Sequence, residues 1–235
     1  MGRGRRLSWV ALAMLAALLF PAPASAGTTC GGRNATILGT EGADRLEGTV
    51  AGDVILALGG DDHILGLRGA DLVCGGAGRD SIHSGRGADF LSGDDGDDVL
   101  VGGGGNDRLL GGRGDDNFLG QRGEDRLEGG AGTDTAGYFD ERIPGGVTVD
   151  LTTWASSGSH GVDLLASIEN VDGSPGHDVL IGDAGPNRLR AFARFDRLDG
   201  REGGDVLRGG GSDDRLDGGP GIDDCIGEFL HRCEP

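Results

Sequence analysis

The chain has 235 residues, 51 of them glycine, with 39 Asp plus Glu against 21 arginines, no lysine and only 4% aromatics, for a net charge of −18. So acidic a chain excludes nucleic acid and insertion into anionic membranes, which call for basic patches, and so few aromatics exclude an ordinary single-core globule. The glycines keep no three-residue period, which excludes a collagen-like helix; only regular order elsewhere can overrule a disordered acidic chain.

Arg3, Arg5 and Arg6 precede an apolar run over residues 7–20 and small residues at Ala24 and Ala26, the pattern of a cleavable secretory signal over residues 1–26. As a helix the apolar run reaches ~21 Å, short of a hydrocarbon core of roughly 30 Å, so it does not read as an anchor. Arg5-Arg6 leaves both the general and the twin-arginine export routes open. Without the leader the chain carries 18 arginines against 39 acids, a net of −21, and is expected to be secreted and extracellular. Residues 27–38 form an N-terminal cap. Ile37 stands nine residues before Leu46, so residues 30–38 read as a degenerate first block.

From Gly39 to Gly137 the chain divides into 11 blocks of nine residues without insertion or deletion. The sixth position is always aspartate: Asp44, Asp53, Asp62, Asp71, Asp80, Asp89, Asp98, Asp107, Asp116, Asp125 and Asp134. The eighth is large and apolar from Leu46 to Leu127, ending on Ala136, and the fourth is glycine except at Ala51. Residues 138–172 break the period. Alternation through Val147-Thr148-Val149-Asp150-Leu151, and in part through residues 165–171, predicts an inserted strand, a mobile loop around residues 156–161 and a return strand.

A second array of six blocks fills residues 173–226, with Asp178, Asp196, Asp205, Asp214 and Asp223 at position six and Asn187 in the remaining block. The block at 191–199 has lost its glycines, which leaves its turn without the usual support. Residues 227–235 form a C-terminal cap. Four cysteines in an exported chain favour disulfides; Cys225 and Cys233 flank the short tail and pair, which leaves Cys30 with Cys74.

Each block has two physical jobs. Positions one to five form a glycine-rich turn in which positive φ carries no Cβ clash. Positions seven to nine form a short strand with one inward apolar residue. Two blocks make a coil of 18 residues, and stacked coils bring aspartates of blocks i and i+2 to one strand spacing. Two bare carboxylates ~4.8 Å apart repel by about 3.5 kcal/mol at an effective dielectric of 20. Calcium answers this: it takes six to eight oxygens, carboxylate and carbonyl alike, whereas magnesium demands stricter geometry. One ion between each such pair gives at most nine sites in the first array and four in the second. One aliphatic side chain per block buries too little surface to offset the ordering of glycine-rich backbone, so folding is expected to require the ion.

The blocks, GGRGDDNFL and GGGGNDRLL among them, resemble the GGxGxDxUx nonapeptide of the RTX, or haemolysin-type, calcium-binding repeat family over 153 residues. The resemblance implies an all-β fold, a parallel β-roll binding several Ca2+ ions through sixth-position aspartates and turn carbonyls of coils two blocks apart. GGVTVDLTTWASSG and SIENVDGS look like the family's segment between arrays. Departures from the motif imply weaker sites: Ala51, Arg194 and Ser212 at position four, Asn187 at six, and Ala57, Ser84 and Ala191 at one.

The chain carries no HExxH, GxSxG or GxxxxGK[ST] motif, so no enzyme is expected. The histidines (His63, His83, His160, His177, His231) fall at outward or loop positions, and Trp154 reads as a packing anchor beneath the insertion loop, the alternative being a contact point for a partner. The expected function is a non-enzymatic, calcium-loaded structural or binding module. The alternative is a calcium-dependent adhesin recognising cell-surface polysaccharide; a polysaccharide lyase or epimerase would need a catalytic portion the sequence does not show.

Overall fold

The computed structural model describes residues 29–140, 142–143 and 145–233; the expected leader lies outside them. The fold is all-β, a parallel solenoid whose chain passes alternately between a 10-stranded and a 13-stranded sheet. Among the described residues no helix is long and apolar enough to cross a membrane. Val99–Gly104 shows the rule. It lies between Ser81–Arg86 and Asn117–Arg122, with Leu100 opposite Ile82 on one side and Phe118 on the other, a step of 18 residues each way.

The eighth positions point inward and stack. Ile64, Ile82, Leu100, Phe118 and Ala136 rise through one sheet and Ile55, Val73, Leu91, Leu109 and Leu127 through the other, none more than 2% exposed. A single apolar core runs from Ile55 to Leu216 through both arrays and the insertion. Eight strands of the first array span six residues, beyond the three of positions seven to nine. The ladder skips position one and resumes in the turn, where Gly103 pairs with Gly85 and Gln121.

The block without glycines winds all the same. Arg194 takes a φ of 76°, Ala193 bridges Gly211, and Leu198 is fully buried, so inward packing holds the turn that composition leaves unsupported.

The N-terminal segment departs from a plain starting block. Ile37 does pair with Ile55 and extends the inward row. Thr29–Cys30 and Arg33–Asn34 instead form an antiparallel hairpin, and Cys30 packs on the sheet's outer face against Val54, Leu56, Leu72 and Cys74. These outward positions are apolar, and the hairpin removes them from water. The Cys30–Cys74 disulfide, with Cα atoms 5.7 Å apart, fastens it. At the other end Cys225 stands opposite Leu207 in the inward row and is bonded to Cys233, with Cα atoms 5.9 Å apart.

The segment between the arrays is part roll and part addition. Leu164–Ala166 pairs in parallel with Arg126–Ala131, and Asn170–Asp172 with Thr135–Gly137, so both continue the two sheets. The addition proper is the antiparallel pair Val147–Asp150 and Ala155–Gly158, inserted into the 13-stranded sheet alone, between Leu164–Ala166 and Val179–Ile181. The expected mobile loop at 156–161 is therefore corrected. Its first residues form a strand, and Ser156 and His160 are buried because the Ser156 hydroxyl and Asp163 bond each other and Tyr138 packs edge-on to the imidazole. His160 is thus no surface histidine. Trp154 is corrected in the opposite sense: it sits at the hairpin tip with φ 58° and is 67% exposed, not packed beneath the loop.

Candidate metal sites

The sixth-position side chains line the two edges where the chain turns from sheet to sheet. Each is positioned by the stacking itself. The backbone N–H of one sixth-position residue donates to Oδ1 of the aspartate one coil later, at 2.7–3.0 Å. One edge carries Asp44, Asp62, Asp80, Asp98, Asp116 and Asp134 in this way; the other carries Asp53, Asp71, Asp89, Asp107 and Asp125. The second array repeats the pattern from Asn187 to Asp205 and Asp223, and from Asp178 to Asp196 and Asp214.

With Oδ1 engaged, Oδ2 turns into the loop. In Asp62, Asp71, Asp80, Asp89, Asp98, Asp107, Asp116, Asp125, Asp134, Asp196, Asp205, Asp214 and Asp223 it is buried and finds no hydrogen-bond partner among the described residues. A buried carboxylate oxygen without a partner is costly, and rows of them demand a counter-charge. The surroundings are main-chain oxygen. A Cβ built on Gly93 would overlap Asp98 Oδ2 and come within 2.9 Å of the Gly111 carbonyl. No cluster of three or more His, Cys, Asp or Glu side chains forms a metal cage among the described residues. A cation here would therefore draw its other ligands from carbonyls, a hard oxygen set that fits calcium and not zinc or copper.

Protonation follows from the same burial. Loss of solvent pushes Asp80, Asp125 and Asp196 up to about 7, and Asp71, Asp98, Asp107, Asp116, Asp134 and Asp205 up to about 6, against the opposing pull of the N–H bond. Adjacent carboxylates add to the rise, as Asp98 does for Asp80. Raised folded values mean that the metal-free roll is favoured below the unfolded value near 4 and loses that support as pH climbs through 6–7. Calcium-stripped protein should accordingly hold more β-structure at pH 4.5 than at pH 8, and calcium affinity should fall as protons compete below pH 7. Circular dichroism and calorimetry across that range check both; a stripped chain better ordered at pH 8 would contradict the sign.

Two further carboxylates continue the rows, and block counting passes over them. Asp125 N–H donates to Asp163 Oδ1 at 3.0 Å, and Asp134 N–H to a Glu169 carboxylate oxygen at 2.8 Å. The signal for Asp163 is present: GSHGVDLLA, residues 158–166, is a complete block out of phase with both arrays. Glu169 belongs to a block shortened to six residues, 167–172, whose inward residue is Val171.

Comparison with curated proteins returns no match. The family model of the RTX calcium-binding nonapeptide repeat matches residues 38–73, 75–109, 101–136, 172–193 and 190–225, well over half of the chain. The matched stretches pass over the segment that breaks the period and cover the edges just described. The chain belongs to the RTX calcium-binding nonapeptide repeat family, whose repeats bind calcium in a β-roll.

Proposed function

We propose that the protein is a secreted, non-enzymatic calcium-binding module, the thirteen sixth-position aspartates with an unpartnered Oδ2 acting as ligands and its roll winding as the ions bind. The observation that carries this reading is the thirteen buried Oδ2 atoms along the two edges that have no partner among the described residues. Bound calcium would supply the positive charge these rows lack. The aspartates and the facing turn carbonyls, such as Gly111 beside Asp98, would hold it, and the apolar row at position eight would then stack. Export fits the leader-like residues 1–26 and the two disulfides, which suit an oxidising compartment. Calcium outside the cell would also find the chain where the ion is plentiful.

Equilibrium dialysis of the mature chain against calcium tests this. Several ions per chain are expected, with magnesium displaced by calcium at equal concentration. Fewer than one calcium per chain would end the proposal.

A further inference from the structure

The turns fall into two classes. In twelve blocks position two has positive φ, supplied by glycine or by Leu58, Leu67, Asp94, Gln121 and Arg201, and in the block at 191–199 Arg194 at position four has it instead. Four other turns have no positive φ at either position two or position four, and each carries a short polar residue at position two: Thr40, Thr49, Ser174 and Asp183. There the position-two side chain accepts the N–H of position four, from Gly42, Ala51, Gly176 and Gly185, at 2.7–3.2 Å. The N–H of position two in turn donates to the sixth-position side chain: Thr40 to Asp44 and Thr49 to Asp53, both at 2.6 Å, and Ser174 to Asp178 and Asp183 to Asn187, both at 2.8 Å.

The oxygen left partnerless in thirteen other blocks is therefore satisfied in these four by the turn's own amide. In the three headed by Thr40, Thr49 and Ser174 a hydroxyl bonds the carboxylate as well. The four are the first two blocks of each array.

We propose that these leading turns are sealed by their own side chains and take no calcium, so that every calcium row starts from a metal-free turn. The inference rests on the calcium reading above and assigns its limits. It also accounts for two departures from the repeat. Asn187, an uncharged amide unsuited to neutralising an ion, stands in a sealed turn and donates through Nδ2 to the Glu169 carbonyl at 2.8 Å. Ala51 is accepted at position four because a sealed turn needs no positive φ there. The seal is cheap to form: an Asx- or Ser/Thr-type turn closes within three residues.

The test compares isosteric variants of the full mature chain with both disulfides intact, by calcium stoichiometry in equilibrium dialysis. Asp53→Asn and Asp178→Asn should bind as many ions as the parent. Asp89→Asn should lose at least one; if it fails to wind in saturating calcium, Asp196→Asn makes the same comparison in the second array. Equal losses at Asp53 and Asp89, or no loss at either, would overturn the division into sealed and open turns. A parent that binds no calcium would instead overturn the reading beneath it, so the two failures are told apart.

Discussion

Stripping calcium at pH 8 should unwind most of the mature chain, with loss of the strand signal in far-UV circular dichroism and roughly a two- to three-fold rise in radius of gyration. Two terms drive this. Along each edge the carboxylates follow at one coil's spacing, and each neighbour within ~5 Å adds repulsion of about 3 kcal/mol at an effective dielectric of 20. The buried Oδ2 atoms gain no protein hydrogen bond to offset their lost hydration. Against them stands one inward apolar residue per block, on a mature backbone with 49 glycines to order. Readdition of calcium should restore the strand signal, and magnesium should restore less of it. A stripped chain that scatters as a compact particle with its full strand signal would refute the account.

The second large effect is expected from one methyl group. Gly105, at position four, has φ 141°, and a Cβ there would overlap the carbonyl oxygen of Gly87 in the preceding coil. That oxygen belongs to the backbone of a stacked turn and has no rotamer by which to withdraw. Strain of this kind costs on the order of 1–3 kcal/mol, before any loss of pairing between the coils. For a chain of this size each kcal/mol is worth roughly 2–4 °C. Gly105→Ala should thus lower the melting temperature of the calcium-loaded protein by on the order of 10 °C. Gly104→Ala is the control: a Cβ there meets nothing within 4 Å, and its melting temperature should stay within about 2 °C of the parent. Equal shifts for the two variants, read by calorimetry in saturating calcium, would show that close stacking at position four is not what the glycine serves.

Much of this architecture was legible because a solenoid's contacts repeat at a fixed interval. The inward row and the parallel 18-residue step follow from spacing alone, and both appear in the register of Leu100 with Ile82 and Phe118. What stayed hidden depends on contacts at irregular separation. Asp163 pairs with Asp125 at a separation of 38 residues and Glu169 with Asp134 at 35, so a strict count of nines passes over both. The outer hairpin at Thr29–Asn34 answers a local excess of outward apolar residues, which periodicity of the inward face does not register. The threonines at 40 and 49 were plain in the blocks, yet their meaning needed the amide directions of the turn. His160 and Trp154 exchanged roles because the added strand pair buries one flank and leaves its tip in solvent.

Val147–Asp150 and Ala155–Gly158 enter only one of the two sheets, so the arrays communicate unequally along their borders. On the border holding Glu169 the contacts run on, from the Asp134 amide to the Glu169 carboxylate and from the Glu169 carbonyl to the Asn187 side-chain amide. On the opposite border it stops at Asp163 and restarts at Asp178, which is met by the Val147 amide from the added strand and not by a preceding aspartate. Where coupling runs only between neighbours, such a seam, joined to Leu164–Ala166 through the single pair Ala155 and Leu164, should be the first joint to part, leaving one half taut while the other hangs slack.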